Sequence, residues 1–265
     1  MIQLTDKEFG TLVKFIQTNY GIDLSKKRLL IEARMFSVLT EKKLSSFSEY
    51  FELLRRDGGE LNTLLNKLTT NHTYFMREPR HFEFLKEVIL PREEKTNRER
   101  NLRIWSAGCS TGEEAYTAVM LMKDYFRGNP GWDTRILATD ISTKVLANAQ
   151  QGVYTAESLH GLSPEWERLY FRKSGDVYTL ADEIKREVIF RQLNLMDDFH
   201  FQHPFDLIFC RNVMIYFNQD AKDRLVKKFS DLLKPGGYLF IGHSETIQRE
   251  SAGFRYIEPS IYQKG

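Results

Sequence analysis

Three short stretches of the 265-residue chain carry residue types that could act on a single ligand. Ala107-Gly108-Cys109-Ser110-Thr111-Gly112 is a turn of small residues after a strand-like run. It lets a ligand approach the backbone closely, and its N–H groups are expected to be free donors. Asp140 ends the next strand-like run, where a carboxylate can accept from both hydroxyls of a ribose. A tight turn serving only helix–strand packing is the plain alternative, but turn and acid together favour a nucleoside site. The spacing is not G-x-G-x-x-G, and no G-x-x-x-x-G-K-[ST] occurs. Glu113 and Glu114 stand where a pyrophosphate would sit and would repel it, which counts against NAD. S-adenosylmethionine has no phosphate and carries a sulfonium and an amino group, so it is the favoured ligand. The third stretch, Cys210-Arg211-Asn212-Val213-Met214-Ile215-Tyr216, ends a later strand and lacks the prolines usual in base amino-methyltransferases. An Arg–Asn pair beside a Tyr suits an oxygen acceptor such as a carboxylate. A glutamate, with an ordinary pKa of about 4.3, is already an anionic nucleophile at neutral pH. The protein then has mainly to align it and exclude water.

The elements that must position these residues fall into two halves. In the first, Thr5-Asp6-Lys7-Glu8 is a capping box, followed by Phe9, Leu12, Val13 and Ile16 at helical spacing and stopped by Gly21. A second helix is expected over about 26–43, with Leu30, Ala33, Phe36 and Leu39 inward. A third begins at Ser46, and Gly58-Gly59 breaks it from a fourth carrying Leu61, Leu64, Leu65 and Leu68. A helix after Pro79 carries Phe82, Leu85, Val88 and Ile89 and is expected to end at Pro91, leaving the charged run 92–100 as a linker or an exposed helix end. From Leu102 strands and helices alternate: strands at 102–106, 135–139, 188–190, 206–209 and 238–241, with an edge pair at 254–257 and 261–262. That alternation makes a parallel sheet covered on both faces, an α/β fold whose ligands bind beyond the carboxyl ends of the strands. Phe171 to Leu180 reads as a hairpin around a Ser-Gly-Asp turn, to which Glu187–Arg191 could add a third strand. The expected division is 1–78 all-α, 79–100 helix and linker, and 101–265 α/β, with an inserted antiparallel piece at about 165–191.

Composition bounds the rest. With 28% charged, 42% hydrophobic and 13% aromatic residues, the chain reads as globular and cytoplasmic rather than disordered or collagenous. No apolar run reaches the length of a membrane span, and MIQLTDKEF lacks the apolar stretch of a signal peptide. Two cysteines exclude a disulfide framework or a cysteine zinc site, His200 and His203 read as loop residues, and no metal is expected. A net charge of +2 does not demand nucleic acid. The second helix concentrates cations at Lys26, Lys27, Arg28, Arg34, Lys42 and Lys43. On the residues alone this is a solvated face, with an acidic partner as the sharper alternative. No heptad or self-pairing face is visible, so a monomer is expected.

Four longer motifs occur in order along nearly the whole chain: Leu68–Glu78, Trp105–Glu114, Phe209–Phe217 and Leu233–Glu245. Together they resemble the CheR-type chemotaxis receptor glutamate methyltransferases of bacteria. The resemblance implies a small all-α domain followed by a Rossmann-like S-adenosylmethionine methyltransferase domain, with S-adenosylhomocysteine as product. It implies that Asn71, Thr73 and Arg77 reach the cofactor from the inter-domain segment and that Glu114 meets its polar end near Gly108, with Glu113 the less certain neighbour. Asp140 would hold the ribose, Asn194 and Leu195 would border the adenine, and Arg211 and Asn212 would complete the wall. Arg77 and Tyr216 would lie nearest the transferred methyl and the acceptor carboxylate. The partner implied is the cytoplasmic helical region of membrane chemoreceptors, docking on Lys26, Lys27, Arg28 and Arg34. In some members the inserted β-subdomain grips a receptor peptide; the short turn here counts against that, and a hairpin covering the sheet edge is preferred. The rivals are a methyltransferase with a small-molecule or nucleic-acid acceptor, and a cofactor-binding module without turnover.

Overall fold

The computed structural model describes residues 2–248 and 253–265. It opens with α1 (Asp6–Tyr20), α2 (Arg28–Glu41), α3 (Phe47–Arg56) and α4 (Gly58–Leu68). Both halves of the capping box form at α1: Thr5 Oγ1 accepts from the Glu8 N–H, and the Glu8 carboxylate accepts from the Thr5 N–H at 2.8 Å. Such a cap contributes about 1 kcal/mol. Gly21 ends the helix at φ +71°, as the sequence suggests. Asp57 both closes α3 and caps α4 through the Gly59 N–H, so the glycine pair lies in the first turn of α4 rather than between the helices. Leu12, Ile16, Ile31, Met35, Leu39, Tyr50, Leu64 and Leu68 form the core of this bundle.

The inward face of α2 differs from the expectation. Ile31, Met35, Val38 and Leu39 are buried, whereas Leu30 and Phe36 are 38% and 43% exposed and Ala33 faces solvent. Both faces of this helix carry apolar residues at helical spacing, so periodicity does not choose between them. The buried face is the one that brings in Glu32, whose carboxylate accepts from the Leu4 N–H.

Pro91 does not end its helix either. Arg80–Phe84 (α5) runs through a π turn at Leu85–Ile89 into α6 (Leu90–Thr96). The wider turn, in which the Leu90 N–H reaches Leu85 O, makes room for a ring that would crowd an ordinary α turn. Residues 92–96 are therefore helix, anchored by Arg92 over the Tyr238 ring and on Gly236 O.

The second half carries β1 (Ile104–Ala107), α7 (Glu113–Tyr125), β2 (Ile136–Asp140), α8 (Thr143–Gln151), β3 (Val153–Thr155), α9 (Ala156–Leu159), α10 (Pro164–Tyr170), β4 (Phe171–Ser174), β5 (Val177–Leu180) and α11 (Asp182–Lys185). It continues with β6 (Val188–Gln192), β7 (Phe205–Cys210), α12 (Gln219–Leu232), β8 (Leu233–Ile241), β9 (Phe254–Glu258) and β10 (Ile261–Lys264). Seven strands form one sheet in the order β6-β2-β1-β7-β8-β10-β9. The first five are parallel, and β10 pairs antiparallel with both β8 and β9. The strand order reverses beside β1, which puts the crevice of such a sheet above the carboxyl ends of β1, β2 and β7. Every residue of β7 is buried, as a strand covered on both faces requires.

A second, three-stranded antiparallel sheet has the order β3-β5-β4. The hairpin at Phe171–Leu180 is present, but its third strand is Val153–Thr155 and not Glu187–Arg191. The latter run is β6, parallel to β2 over Val188–Gln192. The small sheet thus begins at β3, ahead of the 165–191 expectation. Three residues leaving Gly152 are too few to register as a strand without their partner. No helix among the described residues is long and apolar enough to cross a membrane.

Candidate active site

The turn after β1 is built against the end of β2. Gly108 and Cys109 both donate to Thr139 O, at 2.8 and 2.9 Å, and Gly112 donates to Cys109 O. Ser110 N–H donates to Asp140 Oδ2 at 2.9 Å. The expectation of free donors is therefore wrong: these four N–H groups are used within the fold. A turn in that state does not cradle a phosphate, and it makes Asp140 part of its own framework. Gly108, at φ +88°, also lies where a Cβ would come within 2.4 Å of Val213 Cγ2, so the loops after β1 and β7 close on each other only through glycine.

Asp140 Oδ1 accepts from the Ser142 N–H at 2.9 Å. Burial pushes its carboxyl up from the ordinary value, and the Ser142 and Ser110 N–H groups pull it back. Each oxygen keeps a lone pair for a hydroxyl donor. Glu114 Oε1 accepts from Ser106 Oγ at 2.6 Å, and Oε2 pairs with Arg211 Nη1 at 3.0 Å. Burial raises the Glu114 carboxyl as well, against the lowering by Arg211. Glu113 turns the other way, to Thr111 Oγ1, and lines a separate hollow with His72, Glu157 and His160.

Arg211 is a buried cation between two acids, Glu114 and Glu78 (Nη2–Oε2 3.2 Å), and it also donates to Arg77 O. Glu78 Oε1 accepts from Asn212 Nδ2 at 3.4 Å and from the His243 N–H at 3.2 Å. One carboxylate from the segment between the halves thus reaches the loops after β7 and after β8. Asn71 O accepts from Ser110 Oγ, and Arg77 Nη1 donates to His72 O at 2.7 Å. Asn194 Nδ2 donates to Asn19 O and to Asp197 Oδ1. The stretch carrying Asn194 and Leu195 continues to Phe199 and Phe201, which pack on the fully buried Trp105 of β1.

Asn71, Thr73, Arg77, Gly108, Glu114, Asp140, Asn194, Leu195, Arg211, Asn212 and Tyr216 all line one crevice. Tyr20, Ile22, Asp23 and Leu24, at the end of α1 and beyond, also line it, and sequence reasoning missed them. The Asp23 N–H donates to Tyr216 O at 2.7 Å, and Ile22 bridges to Phe217. The only hint was Gly21, which turns the chain toward this contact.

Two family models cover almost the whole chain. Residues 7–69 match "CheR methyltransferase, all-alpha domain", and residues 71–262 match "CheR methyltransferase, SAM binding domain". The chain belongs to the CheR methyltransferase family. It is 44% identical to the chemotaxis protein methyltransferase of Borreliella burgdorferi, over 99% of this chain and 96% of that one. It is 39% identical to chemotaxis protein methyltransferase 2 of Pseudomonas aeruginosa, over 97% and 93%. A probable chemotaxis protein methyltransferase of Rhizobium etli is 37% identical over 89% and 91%. This CheR chain is accordingly an S-adenosylmethionine-dependent methyltransferase, and its residues fit that cofactor: carboxylates at the turn, no phosphate cradle, and a buried acid with lone pairs to spare at a strand tip.

The four residues expected to dock a partner divide. Lys26 and Lys27 are exposed, and Lys27 borders the crevice. Arg28 pairs with Asp6 at 2.6 Å and lies over the Phe9 ring. Arg34 turns inward, donating to Lys67 O, Leu68 O and Thr69 O at the end of α4 and to Thr70 Oγ1. It caps the end of α4, because the last carbonyls of a helix need donors. Glu78, His81 and His243 bring ligand-type atoms within 4.8 Å of one another. Both Glu78 oxygens are already engaged, one by the Arg211 guanidinium, which disfavours a cation there.

Proposed function

We propose that this chain methylates glutamate side chains on the cytoplasmic helical region of chemoreceptors, producing glutamyl methyl esters. The observation that carries the reading is the convergence of Arg77 and Tyr216, from opposite sides of the chain's midpoint, on the crevice that holds Asp140 and Glu114. The names of the relatives support the receptor as acceptor. S-adenosylmethionine supplies a methyl made electrophilic by its sulfonium. Asp140 accepts from the ribose hydroxyls, and Leu195 and Asn194 border the base. Glu114, held by Ser106 and Arg211, faces the amino-acid end. Arg77 and Tyr216 orient an ionised carboxylate for in-line attack, and no base is needed because that oxygen is already charged.

The exposed cations Lys26 and Lys27 stand beside the exposed side chains of Leu29, Leu30 and Phe36 on α2. That face offers an acidic amphipathic helix both charge and apolar contact. Incubation with methyl-labelled cofactor and chemoreceptor-containing membranes tests the reading. Base-labile label on receptor glutamates is the expected result; cofactor binding with no transfer, or transfer only to another acceptor, would contradict it.

A further inference from the structure

The segment carrying Arg211, Asn212 and Tyr216 has no ladder to hold it. It leaves β7 at Cys210, passes through Asn212 at φ +58°, and closes in a short 3-10 turn over Met214–Tyr216. A non-glycine residue in the left-handed region persists only where its surroundings over-determine it. The N–H groups that open such a turn also lack partners within it.

Glu245 meets both needs. After β8 the chain turns at Gly242 and brings the Glu245 carboxylate, 7% exposed, under the segment. Its Oε2 accepts from the Asn212 N–H at 2.9 Å and the Gly242 N–H at 2.6 Å. Its Oε1 accepts from the Ile215 N–H at 3.1 Å, and the Met214 N–H acts on the same carboxylate. Gly242 makes the approach possible: a Cβ there would lie 2.8 Å from Asn212 N and 2.4 Å from its side-chain nitrogen. Glu245 itself does not line the crevice. One carboxylate outside the site therefore collects backbone donors of a segment that lines it with Arg211, Asn212, Val213 and Tyr216.

We infer that Glu245 is a positioning residue for methyl transfer, fixing residues 211–216 so that Tyr216 faces the acceptor and Arg211 stays between Glu78 and Glu114. The catalytic part of this inference rests on the role given to Tyr216 above. The clamp itself does not.

Glu245→Gln keeps the volume but sets an amide –NH2 against a backbone N–H whichever way it is turned. Turnover should fall about tenfold or more, as expected for lost charge-assisted hydrogen bonds, while calorimetric affinity for S-adenosylhomocysteine changes less than about threefold. Amide exchange should quicken over residues 211–217 and stay unchanged in α1–α4. Turnover within twofold of wild type, or an equal loss in turnover, affinity and global protection, would overturn the inference. The wild-type protein offers a second check that no misfolding variant can spoil. The Asn212 and Ile215 amides should exchange slowly although their N–H groups donate to a side chain and not to a helix or strand carbonyl, and fast exchange at both overturns the clamp. Wild-type protein that transfers nothing to receptor membranes contradicts the proposed acceptor instead, leaving exchange to decide the role of Glu245.

Discussion

At the scale of single residues, Asp140 and Tyr216 are expected to fail in different ways. Asp140→Ala removes charge-assisted hydrogen bonds to the ribose, so affinity for S-adenosylhomocysteine should fall by about 10–100-fold in calorimetry. Because burial pushes its carboxyl upward, protonation begins above the usual aspartate range. Wild-type affinity should therefore weaken as pH falls toward that raised value, and Asp140→Asn should flatten this dependence. Tyr216→Phe should lower kcat while leaving that affinity nearly unchanged. Equal effects of both substitutions on both constants would contradict the assignment. Asp140 and the small-residue turn were legible in the sequence because a strand-end acid beside a tight turn is a local pattern. Glu78 and Glu245 were not. Their partners include backbone N–H groups, which every residue except proline carries, so no residue type in the sequence marks them as the complement.

At the scale of elements, the cations on α2 and just before it are expected to act differently. Reversing Lys26 and Lys27 to Glu should raise the KM for receptor several-fold, by repulsion from an acidic partner, with cofactor affinity unchanged. Arg34→Glu should behave otherwise: it strips the carbonyls at the end of α4 of their donor and lowers the unfolding free energy, read by denaturant titration, by about 1–3 kcal/mol for a lost charged hydrogen-bond donor. A receptor KM that responds to Arg34→Glu and not to the two lysines would reverse this division. The sequence contained the helix but not its orientation, since apolar residues recur on both of its faces and distant packing partners, with the Glu32–Leu4 contact 28 residues apart among them, select one. The same limit hid the π turn before Pro91. A proline signals a stop unless packing of the turn before it, here Ile89 and Leu90 in the core, keeps the helix going.

At the scale of the whole molecule, the two halves meet at the crevice. The loop after α1 holds Tyr216 O and Phe217, the segment 71–78 holds Ser110 and Arg211, and Arg80 pairs with Glu258 at 2.8 Å. His81 lies in this junction, fully buried and stacked on Phe240, with its Nδ1 3.5 Å from Glu78 Oε2. Burial first, then the charges of Arg211 and His243, push its pKa down to about 3. The unfolded chain takes up that proton below about 6.5, so this group stabilises the fold above that value and its contribution is lost as pH falls toward 3. At pH 5 the loss is about 2 kcal/mol. Denaturant midpoints at pH 7 and pH 5 should show a smaller drop in His81→Leu than in wild type by about that amount. Identical drops would contradict a neutral buried His81. The order of strands and helices was readable from alternating patterns, whereas the junction was not, because most of its contacts span more than a hundred residues and depend on how the halves dock.

A crystal structure with S-adenosylhomocysteine bound gives the most direct test. The ribose hydroxyls should lie on the Asp140 carboxylate, the base against Leu195, and the sulfur should face the side chains of Arg77 and Tyr216. An empty crevice, or a ligand seated away from Asp140, would contradict the site.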